Sequence, residues 1–120
     1  MALSTVFPSF LGPFYMYAGM NFLSLDELKV EMRVTAAGTL SNFRVDTDTG
    51  PGPAGASYTF TVRKNHVPTG VTCVIITSNG CNSDVTVAFA PGDLLSIGVN
   101  PSVNPVPVGL LAAVWRANYN

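Results

Sequence analysis

The residues best suited to chemistry lie in the stretch FRVDTDTGPGPAGASYTF, residues 43–60. Asp48-Thr49-Gly50 is the triplet that aspartic proteases place where two loops meet and two carboxyls share one proton. That chemistry needs an apolar strand leading to the aspartate. Here Asp48 follows Arg44-Val45-Asp46-Thr47 and precedes Pro51-Gly52-Pro53, so both the approach and the following loop are wrong for it. Asp46-Thr47-Asp48-Thr49-Gly50 also has oxygen donors at alternate positions, like the opening of a calcium loop, which further requires a later bidentate carboxylate. No acid follows Gly50 before Asp84. A local cage cannot close, and a weak surface cation site on Asp46 and Asp48 is what remains of this reading. The stretch is expected to be strand, Gly/Pro loop, strand.

The other chemical groups are sparse. His66 is the only histidine; it sits beside Pro68 in a turn-forming run, where a solvated side chain is expected rather than a general base. No glycine-rich phosphate loop opens a helix. Cys73 and Cys81, eight residues apart, are too few for a zinc site with one histidine. They form either a local disulfide across a turn or two free thiols. The reading is a protein without a catalytic residue, a cofactor or a bound metal.

Composition narrows the partners. The 120 residues form one domain, 48% hydrophobic and only 11% charged, against about 25% charged in ordinary soluble domains. A monomer of this size struggles to hide so much apolar surface, so burial in an oligomer or lattice is expected. The six Lys and Arg residues are scattered and the net charge is −1, which disfavours nucleic acid. The apolar opening is broken by Pro8, Gly12 and Pro13 and has no Lys or Arg before Lys29. It is read neither as a signal peptide nor, lacking about 20 uninterrupted apolar residues, as a membrane span.

The elements that must position these groups follow a period of two, not 3.6. Leu28, Val30, Met32 and Val34 alternate with Lys29, Glu31 and Arg33; TLSNFRVDTD and SYTFTVRK follow as strands. Asn65, Pro68 and Gly70 suggest a hairpin connection of several residues before VTCVIIT. Ser78-Asn79-Gly80 and Ala90-Pro91-Gly92-Asp93 mark two further turns, Val85, Val87 and Phe89 alternate, and LLSIGV and VGLLAAVWRA are strands on either side of a loop with Pro101, Pro105 and Pro107. Six to eight short strands with essentially no helix predict an all-β chain, an antiparallel β-sandwich or jelly roll. Residues 1–24 hold six of the twelve aromatics, Phe7, Phe10, Phe14, Tyr15, Tyr17 and Phe22. They are either a first strand with core-filling side chains or an arm that packs on a neighbour; with Trp115 they are the candidate interface residues.

GTLSNFRVDTDTGPGPAGASYTFTVRKNHVPTGVTCVI, VTVAFAPGDLLSIGV and AAVWRA together resemble the small β domains of tailed-phage structural proteins. The strand, Gly-Asp turn and strand at residues 85–99 resemble the corresponding hairpin of tumour necrosis factor and complement head-domain jelly rolls. The resemblance spans residues 25–117, departs at His66, where a turn glycine is more usual, and leaves the first 24 residues unmatched. It implies a ten-strand-like jelly roll, usually a homotrimer with apolar faces around a threefold axis. Such domains decorate capsids as cement proteins or form fibre tips. With no shaft repeat ahead of the domain, the expectation is a non-enzymatic virion protein, assembled in the host cytoplasm, that stabilises a phage head by contacting the major capsid protein or another virion protein. The alternative is a receptor-binding tip that meets a host surface glycan; a secreted non-viral trimer ranks third and an enzyme last.

Overall fold

The computed structural model describes the backbone of residues 2–8, 14–16, 23–24, 31–47, 57–76, 78–101 and 110–120, and the side chains of 31–47, 57–76, 78–100 and 115–120. Among the described residues there is no helix, and eleven strands run in chain order: β1 Ala2–Pro8, β2 Phe14–Met16, β3 Leu23–Ser24, β4 Met32–Arg33, β5 Gly38–Thr47, β6 Tyr58–Lys64, β7 Val67–Ile75, β8 Gly80–Ser83, β9 Val87–Phe89, β10 Leu94–Pro101 and β11 Leu110–Tyr119. They form two antiparallel sheets. One runs β1-β11-β5-β8, with β9 also on β5; the other runs β3-β2-β10-β6-β7, with β4 also on β10. The chain is a β-sandwich.

Alternation produces the core, as expected of strands with one wet face. Tyr58, Phe60 and Val62 on β6, Leu95, Ile97 and Val99 on β10, and Val71, Cys73 and Ile75 on β7 are all buried. The first sheet supplies Leu40, Phe43, Val45, Phe89, Trp115 and Ala117 to the same cluster. Burying a side chain of this size contributes about 1.5–3 kcal/mol, so these positions fix which face of each strand points inward.

On β5 the alternation changes phase. Leu40 and Phe43 are both buried although three residues apart, and Val45 and Thr47 continue the new phase. The register explains it: Arg44 faces Arg116 and Ser41 faces Asn118, so Asn42 and Phe43 lie opposite Ala117 alone. Two residues against one is a β-bulge, and Asn42 takes the left-handed conformation it requires, with φ 54°. Asparagine tolerates that region better than other side chains do.

Two turns differ in how far composition revealed them. Ala90-Pro91-Gly92-Asp93 is a turn, as expected, with the Asp93 amide donating to the Ala90 carbonyl at 3.0 Å and Gly92 at φ 95°; proline second and a positive-φ glycine third make it type II. The β6–β7 connection is shorter than expected. Lys64 pairs with Val67, leaving only Asn65 and His66, both at positive φ (53° and 68°), a two-residue type I′ turn. Pro68 and Gly70 belong to β7, which takes a proline because it is an edge strand. Of the expected strand at residues 28–34, Met32–Arg33 is a strand and Val34 is buried; Leu28 and Val30 lie outside the described residues. The strand expected to hold Val85 begins at Val87.

The left-handed position at Asn42 gives a direct test. Asn42→Val should cost about 1–2 kcal/mol, the penalty of a side chain unsuited to that backbone, whereas Asn42→Gly should stay within a few tenths. Urea unfolding of the two variants measures the difference.

Candidate interaction surface

The stretch that looked most chemical is half described. Asp48 and residues 49–56 lie outside the described residues; Asp46 is on the outer face of β5. Arg44 and Arg116 face each other across β5 and β11, an arrangement of like charges that repels. Asp46 offsets it. Its Oδ1 accepts from Arg44 Nη2 at 2.8 Å and its Oδ2 lies 3.8 Å from Arg116 Nη1. The pair lies over Gly80, where a Cβ would stand 2.8 Å from Asp46 Oδ1 and 2.9 Å from Arg44 Nη2. The aspartate thus serves as a counter-ion between two arginines, and among the described residues no group of acids, histidines and cysteines could hold a metal ion. Asn42, Arg44, Asn82, Asp84 and Arg116 line a shallow polar groove of about 370 Å³ on this face.

His66 is at the far corner, where three turns and strands are laced together. Its Nε2 bonds Glu31 Oε2, and its carbonyl accepts from Arg63 Nη2 at 2.6 Å. Next to it, the Asn65 side chain accepts from the Leu94 amide at 2.9 Å and donates to Asp93 Oδ1 at 3.0 Å. Asp93 Oδ2 accepts from the Ala90 amide at 2.8 Å, and Lys64 Nζ reaches the Ala88 carbonyl at 2.8 Å. The Asp93 carboxyl is held below its ordinary range, first by the Ala90 amide and then by Asn65, with Lys64 adding to both. The role of His66 here is to fasten the β6–β7 turn to Glu31. Sequence reading noted the turn residues but not this network, since it joins side chains from residue 31 to residue 94.

The third feature is the flank where β7 and β8, the last strands of their sheets, come together. Cys73 and Cys81 are joined there by a disulfide with Cα atoms 5.6 Å apart, so the covalent link runs from one sheet to the other. Of the four large apolar side chains exposed among the described residues, Val74 (43%), Ile76 (53%) and Val85 (49%) belong to this end of the two strands, while Val67 (61%) is at the other end of β7, paired with Lys64 beside the Asn65-His66 turn. Val74 and Ile76 alternate with buried Cys73 and Ile75, so β7 presents one apolar row to the core and another to solvent.

The aromatic interface candidates are placed differently. Trp115 is a correction: it is fully buried, its ring 5.9 Å from that of Phe43, because it falls on the inward phase of β11. It fills the core instead of meeting a partner. Phe7 is on β1 opposite Leu111, Phe14 on β2 opposite Val99 and Tyr15 opposite Gly98, so these three are strand positions in the two sheets. Phe10, Tyr17 and Phe22 lie outside the described residues. No protein-family model matches the chain, and no curated protein matches it.

Two outcomes follow. Breaking the eight-residue Cys73–Cys81 link, by reduction or by replacing both with Ala, should lower stability by about 2–3 kcal/mol, the closure entropy of a short loop, in urea unfolding with and without reductant. Stability should also have two pH limits. Asp93, with a lowered pKa, contributes above about 4, the unfolded value, and loses that contribution as pH falls through its folded one. Tyr58, whose hydroxyl burial pushes up to about 12, contributes below about 10 and loses it as pH rises beyond. Asp93→Asn should flatten the acid limb and Tyr58→Phe the alkaline limb of a melting-temperature profile.

Proposed function

We propose that this chain is a non-enzymatic assembly protein, of the capsid-decoration kind, that stabilises a virion shell by burying apolar surface against its neighbours. The observation that supports this reading is the flank of Val74, Ile76 and Val85. Three large aliphatic side chains standing in solvent beside a cross-sheet disulfide are stable in a complex and a liability outside one. The polar candidates point the same way: Asp46 is engaged by two arginines and His66 by Glu31, so each has a structural partner instead of a reacting one. In this reading the sandwich is a rigid body, the flank is its contact surface, and the partner is the major capsid protein or another virion protein. Burial of each exposed aliphatic would contribute about 1–3 kcal/mol to the contact.

A second reading, a glycan-binding tip, is favoured by the groove of Asn42, Arg44, Asn82, Asp84 and Arg116. Guanidinium, amide and carboxylate groups in one shallow trough suit a hydroxyl-rich ligand.

One comparison separates the two. Particles lacking the protein should lose resistance to heat and osmotic shock while still adsorbing to cells, and adding back the wild-type chain should restore it whereas a Val74→Lys, Ile76→Lys chain should not. Particles that stay robust but no longer adsorb would replace the decoration reading with the tip.

A further inference from the structure

Where β4 and β10 of one sheet come close to the end of β11 in the other, the structure holds an apolar cavity of about 460 Å³. Met32 and Leu95 line it from the one sheet, Tyr119 from the other, and Val34 and Ala36 from the connection between β4 and β5. The polar groups of this wall are already used. The Tyr119 hydroxyl donates to the Ala36 carbonyl at 2.5 Å, and the Val34 carbonyl accepts from the Gly92 amide at 2.7 Å. The Tyr119 ring is fixed as well: it packs on Gly38, where a Cβ would stand 2.6 Å from it, and lies 6.4 Å from the ring of Phe89. The cavity is therefore pre-formed and suited to hydrocarbon, and its volume is at the lower end of the roughly 300–1,000 Å³ usual for small-molecule sites. That is room for one short chain.

Arg33 gives the ligand its sign. It lines the same cavity and is exposed, and its Nη1 donates to the Gly92 carbonyl at 3.0 Å, in the turn that also bonds Val34. The acids closest to it along the chain and across that turn are committed elsewhere, Glu31 to His66 and Asp93 to Asn65, Lys64 and the Ala90 amide. Among the described residues Arg33 thus has no carboxylate partner, whereas Arg44, Arg116 and Lys64 each have one. A guanidinium has five N–H donors, so the bond to Gly92 leaves Nε and Nη2 able to grip a carboxylate, the pairing guanidinium makes best. We propose that this cavity binds a free medium-chain fatty acid, its chain against Met32, Leu95 and Tyr119 and its carboxylate on Arg33. The proposal goes beyond the decoration reading and does not depend on it.

Titration of the intact chain with decanoate, followed by methyl NMR and calorimetry, tests it. The expected result is saturable binding of one decanoate with a Kd below about 1 mM, with shifts at the methyls of Met32, Val34 and Leu95. Arg33→Gln should weaken decanoate at least roughly tenfold. Octan-1-ol, which has a chain but no charge, should shift the same methyls equally in the wild type and in Arg33→Gln. Ala36→Phe, which places a ring in the cavity, should abolish the shifts from both probes; near-ultraviolet circular dichroism checks that each variant keeps its packing, and should Ala36→Phe fail to fold, Arg33→Gln still decides. Methyls that do not move with decanoate would overturn the site, as would binding that a folded Ala36→Phe chain retains. Decanoate that binds Arg33→Gln as tightly as the wild type would overturn the assignment of an acid.

Discussion

A single phase constraint on β5 decides what the rest of the sandwich can be. Strand side chains alternate with a period of two, so a slip of one residue exchanges the inner and outer faces. If β5 ran without interruption from Leu40, then Asn42, Arg44 and Asp46 would point into the core and Phe43 and Val45 into water. The extra residue at Asn42 resets the phase, and everything downstream depends on it: Phe43 against Trp115 inside, and the Arg44-Asp46-Arg116 cluster outside. β5 pairs with β11, β8 and β9, so an error there would propagate through the whole first sheet. An asparagine in the left-handed region is a small local cost against the burial of several large side chains.

The corner around Asp93 does for the turns what the bulge does for the strand. The type I′ turn at Asn65-His66 closes the β6–β7 hairpin, whereas the type II turn at Pro91-Gly92 carries the chain from β9 in one sheet to β10 in the other. Asn65, Asp93 and Lys64 bond across the gap, so the ends of β6, β7, β9 and β10 are held in one register. Charges are scarce in this chain, and those described at the corner and on the first sheet's outer face are engaged in such fastening. That is why an acid limit to stability is expected from Asp93 in a chain with so few ionisable groups, while the expected alkaline limit comes from the burial of Tyr58.

What the sequence made legible follows from which interactions are local. The alternation of Tyr58, Phe60 and Val62, the type II turn at Pro91-Gly92 and the all-β class rest on neighbours a few residues apart, and composition revealed them. The Asn65-His66 turn was obscured because Pro68 and Gly70 nearby carry stronger turn signals, although in the fold they mark an edge strand and its irregular register. Trp115 was grouped with surface aromatics because its strand phase is visible only once β11 is paired with β5. The engagement of Asp46 was hidden for a related reason: its partners come from β5 itself and from β11, seventy residues further on. The pairing of the two cysteines depended on two sheet edges meeting, which spacing alone leaves open.

The cross-sheet disulfide also has a mechanical meaning. An edge strand held by a ladder alone fails by peeling, one pair of bonds after another, under a load far smaller than shearing the whole sheet would need. Because Cys73 is tied to Cys81 on the opposite sheet, a tear that starts at either end of β7 stops at a covalent rivet, and further load must be shared by both sheets. A contact surface built on this strand can therefore bear tension without unravelling the domain that carries it.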